Sequence, residues 1–148
     1  MQIGIFTRLF VRPTLEQVLD AVLAHGIRAV QFNMESAGLE EMPAEISPGD
    51  AARIRDAFEQ RGMSMNAVSG TFNIIHPDRA TRENGMRRLD VLAGACAAMG
   101  TAIITMSSGT RDPNHMWRRH PDNDTSEAWN DMIAAMREAT RIAAQHNV

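Results

Sequence analysis

Arg61-Gly62-Met63-Ser64-Met65-Asn66-Ala67-Val68-Ser69-Gly70 is the stretch on which the fold of this 148-residue chain turns. Gly62 stands where a left-handed residue closes a helix. Ser64–Val68 follows at once, uncharged and without clean polar–apolar alternation, which is the composition of a strand in a parallel sheet covered on both faces. Beyond it the chain turns polar through Ser69-Gly70-Thr71-Phe72-Asn73.

Outward from this stretch, the succession of helix exit, apolar strand and polar strand end recurs. His25-Gly26-Ile27 precedes Ala29–Phe32, and Met99-Gly100-Thr101 precedes Ala102–Met106. Ile3–Phe6 supplies a first strand and His146-Asn147-Val148 a fourth helix exit. Helical periodicity fills the intervals. Thr14 with Gln17 makes a capping pair ahead of Leu15, Val18, Leu19, Val22 and Leu23, and Ser47-Pro48 starts the helix carrying Ile54, Ala57 and Phe58. Thr81 is expected to cap a third helix with Met86, Leu89, Ala93, Cys96 and Ala97 inward. Asp124 and Glu127 are expected to cap a fourth, with Trp129, Met132, Ile133, Met136 and Ala143 on one stripe.

Strands and helices alternating through short links give a parallel sheet with right-handed crossovers. A flavodoxin-type doubly wound sheet needs about five strands. A TIM barrel needs eight units in about 250 residues. The expected fold class is α/β: residues 1–148 form a single domain of parallel βα units, half of a TIM (β/α)8 barrel with four strand–helix units. The chain stops one residue past the fourth helix exit, where a fifth strand is due, so truncation of a longer protein is expected.

Composition narrows the function. The chain is 44% hydrophobic and 22% charged, with a net charge of −3. All 15 basic residues are arginines, scattered along the chain, so neither a nucleic-acid partner nor a membrane surface is expected. Without a lysine, Schiff-base chemistry and a P-loop are excluded within the chain. No apolar run approaches the roughly 20 residues of a membrane span, and the N-terminus shows no basic region with a cleavage site. A single cysteine, Cys96, makes a reducing cytoplasm the default.

In either architecture ligands bind at the C-terminal strand ends, and those ends are where this chain becomes polar. Glu35 leaves an apolar strand where a barrel carboxylate would face substrate or metal, or else it pairs with Arg8. His76, beside Pro77-Asp78, could bind a metal or a substrate hydroxyl, or simply sit under a helix start. Thr110-Arg111-Asp112 offers a hydroxyl, a guanidinium fork suited to a phosphate or carboxylate, and an acid, or a loop ion pair. The loop from Asn114 to Thr125 is long for a βα connection and reads as a lid, with Trp117 covering substrate. His115, His120 and Asp122 fit no standard metal spacing. His25, His146 and Cys96 read as structural.

Ile3-Gly4-Ile5-Phe6, Ala29-Val30-Gln31-Phe32-Asn33, Ala67–Asn73 and Ser108-Gly109-Thr110-Arg111-Asp112-Pro113 resemble sugar phosphate isomerases/epimerases of the xylose isomerase-like TIM-barrel superfamily, the loop from Gly109 through Trp129 being the most specific part. The resemblance covers the N-terminal half of such a protein. It implies a divalent metal (Mn²⁺, Mg²⁺ or Zn²⁺) that polarises substrate oxygens during proton transfer, and a small sugar or sugar phosphate as partner. Most metal ligands would lie in absent strands, with His76 a possible one here. Glu35 and His76 are the catalytic candidates, and Asn33, Thr110, Arg111 and Trp117 the substrate-binding ones. No nucleotide or flavin is expected. Two other readings stand beside it: an endonuclease IV-like repair enzyme, which the acidic balance disfavours, and a non-enzymatic flavodoxin-like module. Open sheet edges further suggest a homodimer that rebuilds the barrel.

Overall fold

A computed structural model describes residues 3–148. Four parallel strands, β1 (Gly4–Phe6), β2 (Ala29–Phe32), β3 (Ser64–Ser69) and β4 (Ile104–Thr105), lie side by side in chain order. Between and after them run α1 (Leu15–Leu23), α2 (Pro48–Glu59), α3 (Arg79–Met99) and α4 (Ser126–His146), with single 3₁₀ turns at Thr7–Leu9, Met34–Ala37 and Pro121–Asp124. This is an α/β half-barrel. The first and fourth strands are shorter than the apolar runs that announce them, each having a partner strand on one side only.

The local signals act as expected at most helix ends. Thr14 accepts the Gln17 N–H and Ser47 the Asp50 N–H, so both first turns have a donor satisfied. Gly26, Gly62, Gly100 and Asn147 all have positive φ. Two expected caps are corrected. Asp78, not Thr81, opens α3: its Oδ1 accepts the Ala80 N–H, while the Thr81 hydroxyl donates to its Oδ2. Asp124 is taken up in the 3₁₀ turn, leaving Thr125 to accept the Ala128 N–H and cap α4.

The core lies between the sheet and α1–α3, where Val30 and Phe32 meet Leu19, Ile54, Phe58 and Leu92. Phe32 and Phe58 stack edge to face with centroids 5.7 Å apart. Along α3 the buried face includes Leu92 and Met99 with Leu89, Ala93 and Cys96, whereas Ala97 is exposed. The stripe expected on α4 is displaced: Ala128, Ala139 and Ile142 are buried, and Trp129 is 60% exposed. α4 packs on α3 and stands off β4, so Met136 and Ala143 border an open apolar groove of about 310 Å³ instead of closing it.

One irregularity aims the site. Val30 pairs with Met65 but Gln31 with Ala67, so Asn66 is an extra residue in β3. Such a bulge shifts the side-chain alternation by one. Met65 and Val68 both reach the core, and Ser69 falls with Gln31 on the opposite face. No helix among the described residues is long and apolar enough to cross a membrane.

Candidate functional site

The C-terminal strand ends enclose a cleft of about 270 Å³, lined by Arg8, Gln31, Asn33, Ser69, Thr71 and Trp117. Thr7 is fully buried just past β1. Its Oγ1 accepts the Asn33 backbone N–H at 2.9 Å and the Ser36 hydroxyl at 2.9 Å, locking the end of β2 to the end of β1. The Asn33 side chain is held there 1% exposed, and its Oδ1 has no hydrogen-bond partner. A buried carbonyl left unpaired costs about 1–3 kcal/mol. Trp117 is 59% exposed on the opposite rim.

Beside the cleft, the loops after β3 and β4 are tied into one body. Asn73 Nδ2 donates to Thr110 O (2.8 Å) and its Oδ1 accepts the Thr110 N–H (2.9 Å), a two-point pairing that imitates a strand ladder. The Asp78 N–H donates to His76 Nδ1, which fixes the proton on Nε2, and Nε2 donates to Pro113 O at 3.2 Å. Both ring nitrogens of His76 are thereby engaged by backbone.

Thr110 is buried, its Oγ1 within reach of Arg118 O and Asn123 Oδ1 while accepting the Asp112 N–H. Arg111, 7% exposed, donates to Ile75 O (3.2 Å) and to Asp131 Oδ2 (2.7 Å). The guanidinium fork read from sequence as an anion site thus points into the protein and is already paired.

Asp112 organises the lid. Its Oδ1 accepts the Asn114 and His115 N–H groups and its Oδ2 pairs with Arg118. The Asn114 N–H, aided by the Arg118 charge and the His115 N–H, holds the Asp112 carboxyl below its ordinary 3.8 despite the opposing effect of burial. A depressed folded value means that the stabilisation is present above the unfolded value and is lost as pH falls through the folded one. We expect the stability gap between the wild type and Asp112→Asn, followed by urea unfolding from neutral pH downward, to close in that acid range. A gap that does not change with pH would contradict this assignment.

Glu35 sits exposed in the 3₁₀ turn after β2. The carboxylate that sequence reading missed is Glu41. Partial burial first, and the Glu35 charge second, raise its pKa above 4.5, while Arg8 opposes them. Glu35 and Arg8 thus lie within electrostatic range of Glu41. Among the described residues no three His, Cys, Asp or Glu side chains converge as a metal site. Asn33 and Trp117 are brought to one cleft, whereas His76, Thr110 and Arg111 belong to the adjoining loop network. Thr7, Asn73 and Asp131 were not among the candidates, although Thr7 and Asn73 stand in the polar stretches after β1 and β3.

A larger cavity, about 520 Å³, lies elsewhere, between α3 and α4. Most of its charges are paired: Arg79 with Glu83, Arg82 with Asp131 and Arg141 with Glu138, while Arg87 meets only the Asn84 side chain.

A family model described as a xylose isomerase-like TIM barrel matches residues 19–148. The fold is similar to that of 3-keto-D-glucoside 4-epimerase from E. coli (YcjR, apo form), with a TM-score of 0.73 at 14% identity. That alignment takes in 100% of this chain and 54% of the epimerase, so the chain spans about half the length of the solved structure it matches. No curated protein matches the sequence.

Proposed function

Because the chain belongs to the xylose isomerase-like TIM-barrel family, we propose that it works in a sugar isomerase or epimerase, which interconverts an aldose and a ketose or inverts one carbinol carbon. The observation that carries this reading is the cleft at the C-terminal strand ends, lined by Gln31, Asn33, Ser69 and Thr71 together with Trp117. Amide and hydroxyl side chains suit the hydroxyls of a sugar, and an indole at the rim offers the apolar face of its ring a surface.

Glu35 and Glu41 are the proton-handling groups in this reading, because the Glu35 charge and partial burial make Glu41 hold its proton more tightly than an ordinary glutamate. His76, with both nitrogens committed, fixes the loop after β3 and offers no free lone pair. The residues described do not fit the divalent metal that the resemblance implies, so no step runs through one here. Its ligands would come from further strands, supplied by a longer chain or by a second copy docking at the open edges of β1 and β4. A cytoplasmic setting is kept as part of the reading on the strength of the one free, buried cysteine.

The test is hydrogen exchange. With a panel of aldoses and ketoses in D2O and added Mn²⁺, the protein with a complete barrel is expected to place deuterium on the carbon next to the carbonyl. The 148-residue chain alone is expected to fall far below it. Failure of the complete barrel to exchange any sugar would remove the reading, and full turnover by this chain alone would refute the need for further strands.

A further inference from the structure

Among the described residues, Arg8 is the one charged side chain lining the strand-end cleft, and the rest of that lining is apolar or neutral polar. Its backbone belongs to the 3₁₀ turn Thr7–Leu9. That turn is fixed by the Phe10 N–H, which donates to Thr7 O, and by the Thr7 hydroxyl, bonded to the end of β2. The Arg8 side chain is exposed, and among the described residues it pairs with no carboxylate. The pairing with Glu35 that the sequence allows is therefore not formed. Arg111, Arg118 and Arg119 differ, being held by Asp131, Asp112 and Asp124.

Glu41 lies within electrostatic range of Arg8 but is no tight partner to it. A carboxylate gripped by a guanidinium ionises more easily, as Asp20 does in the Arg61 fork. Burial and the Glu35 charge push Glu41 the other way in spite of Arg8. An anchored backbone thus presents a guanidinium fork with an unanswered charge to an otherwise neutral cleft.

A carboxylate is planar, accepts two parallel N–H bonds from such a fork and carries the single charge that one guanidinium matches. A terminal phosphate carries about 1.5 to 2 negative charges at neutral pH. Its excess would meet no second cation in this lining and would lie in the field of Glu41.

We propose that Arg8 is a specificity-determining residue that takes a carboxylate of the substrate, so that the sugar handled in this cleft is a sugar acid. This rests on the sugar reading above and goes further by naming the charge class of the substrate.

The experiment uses the protein with a complete barrel. Titration calorimetry compares three forms of one sugar: the neutral aldose, the uronate in which the same chain ends in a carboxylate, and the aldose phosphorylated on its terminal carbon. The uronate is expected to bind about tenfold more tightly than the neutral aldose, the size of one charge-assisted contact. Arg8→Gln is expected to remove that preference. Arg8→Lys, which keeps the charge without the fork, is expected to retain only part of it and decides the matter if Arg8→Gln does not fold. A phosphorylated sugar binding more tightly than the uronate, no preference for the uronate, or a preference that survives Arg8→Gln would each overturn the proposal. Deuterium exchange into any of the three forms would in those cases leave the sugar reading standing. Neither binding nor exchange with any of them would overturn both.

Discussion

Gly109→Ala is expected to cost about 3 kcal/mol of stability, far more than a surface glycine change. Gly109 has φ +73°, a left-handed conformation that penalises any Cβ. The added methyl would also sit 2.1 Å from Asn73 Oδ1 and 2.9 Å from Asn73 Cα. The oxygen could swing away only by giving up the Thr110 N–H, and the Cα is backbone and cannot. Gly26 is the built-in control, with φ +74° and nothing within 4 Å of the place an added methyl would take. Gly26→Ala should then lose only the backbone part, about 1 kcal/mol. Urea unfolding of the two variants isolates the Asn73 contact as their difference. Equal losses would mean that the loops after β3 and β4 do not depend on this close approach. Where the difference is found, Trp117 should also become more mobile, since its loop starts at the damaged junction.

How far the chain could be read in advance follows from the range of each interaction. The glycine exits and the Thr14 and Ser47 caps were legible because each is settled within about one helical turn. The choice of Thr81 over Asp78 failed at the same range: the Asp78 carboxylate takes the Ala80 N–H and also accepts the Thr81 hydroxyl. The α4 stripe failed because the sequence shows which positions are apolar but not that α4 leans on α3 and leaves β4 open. At the site, Asn33 and Trp117 were legible as polar and aromatic groups at strand ends. The bulge at Asn66, which turns Ser69 towards them, leaves no mark in composition.

Arg111 shows the limit most sharply. Its motif announced a guanidinium at a strand end, which is correct, but its direction depends on Asp131, 20 residues further on in another element. The same carboxylate reaches Arg82, and the two arginines between them bond the successive carbonyls of Ile75, His76 and Pro77. One acid on α4 thus anchors the whole turn that carries His76.

Asp131→Ala is accordingly expected to destabilise the protein by about 3 kcal/mol, at the lower end for a broken buried pair because Asp131 and Arg82 keep some contact with water. The loss comes from stranding Arg111, whose side chain is 8% exposed, without a counter-charge. It does not measure the net worth of the ion pair, because burying both charges was itself costly. That distinction gives the sharper test. Arg111→Met with Asp131→Leu removes both charges and refills the space, so the double variant should come within about 1 kcal/mol of the wild type, although Asp131→Ala alone does not. Both variants take from Arg82 the carboxylate that holds it, and the double variant also removes the Arg111 donor to the Ile75 carbonyl, so amide exchange in the turn after β3 should quicken in both. A loss under about 0.5 kcal/mol for Asp131→Ala would mean that water screens the cluster like an ordinary surface pair. In that case Arg111 would be free to turn towards the cleft, and the anion-binding role that its motif suggests would return.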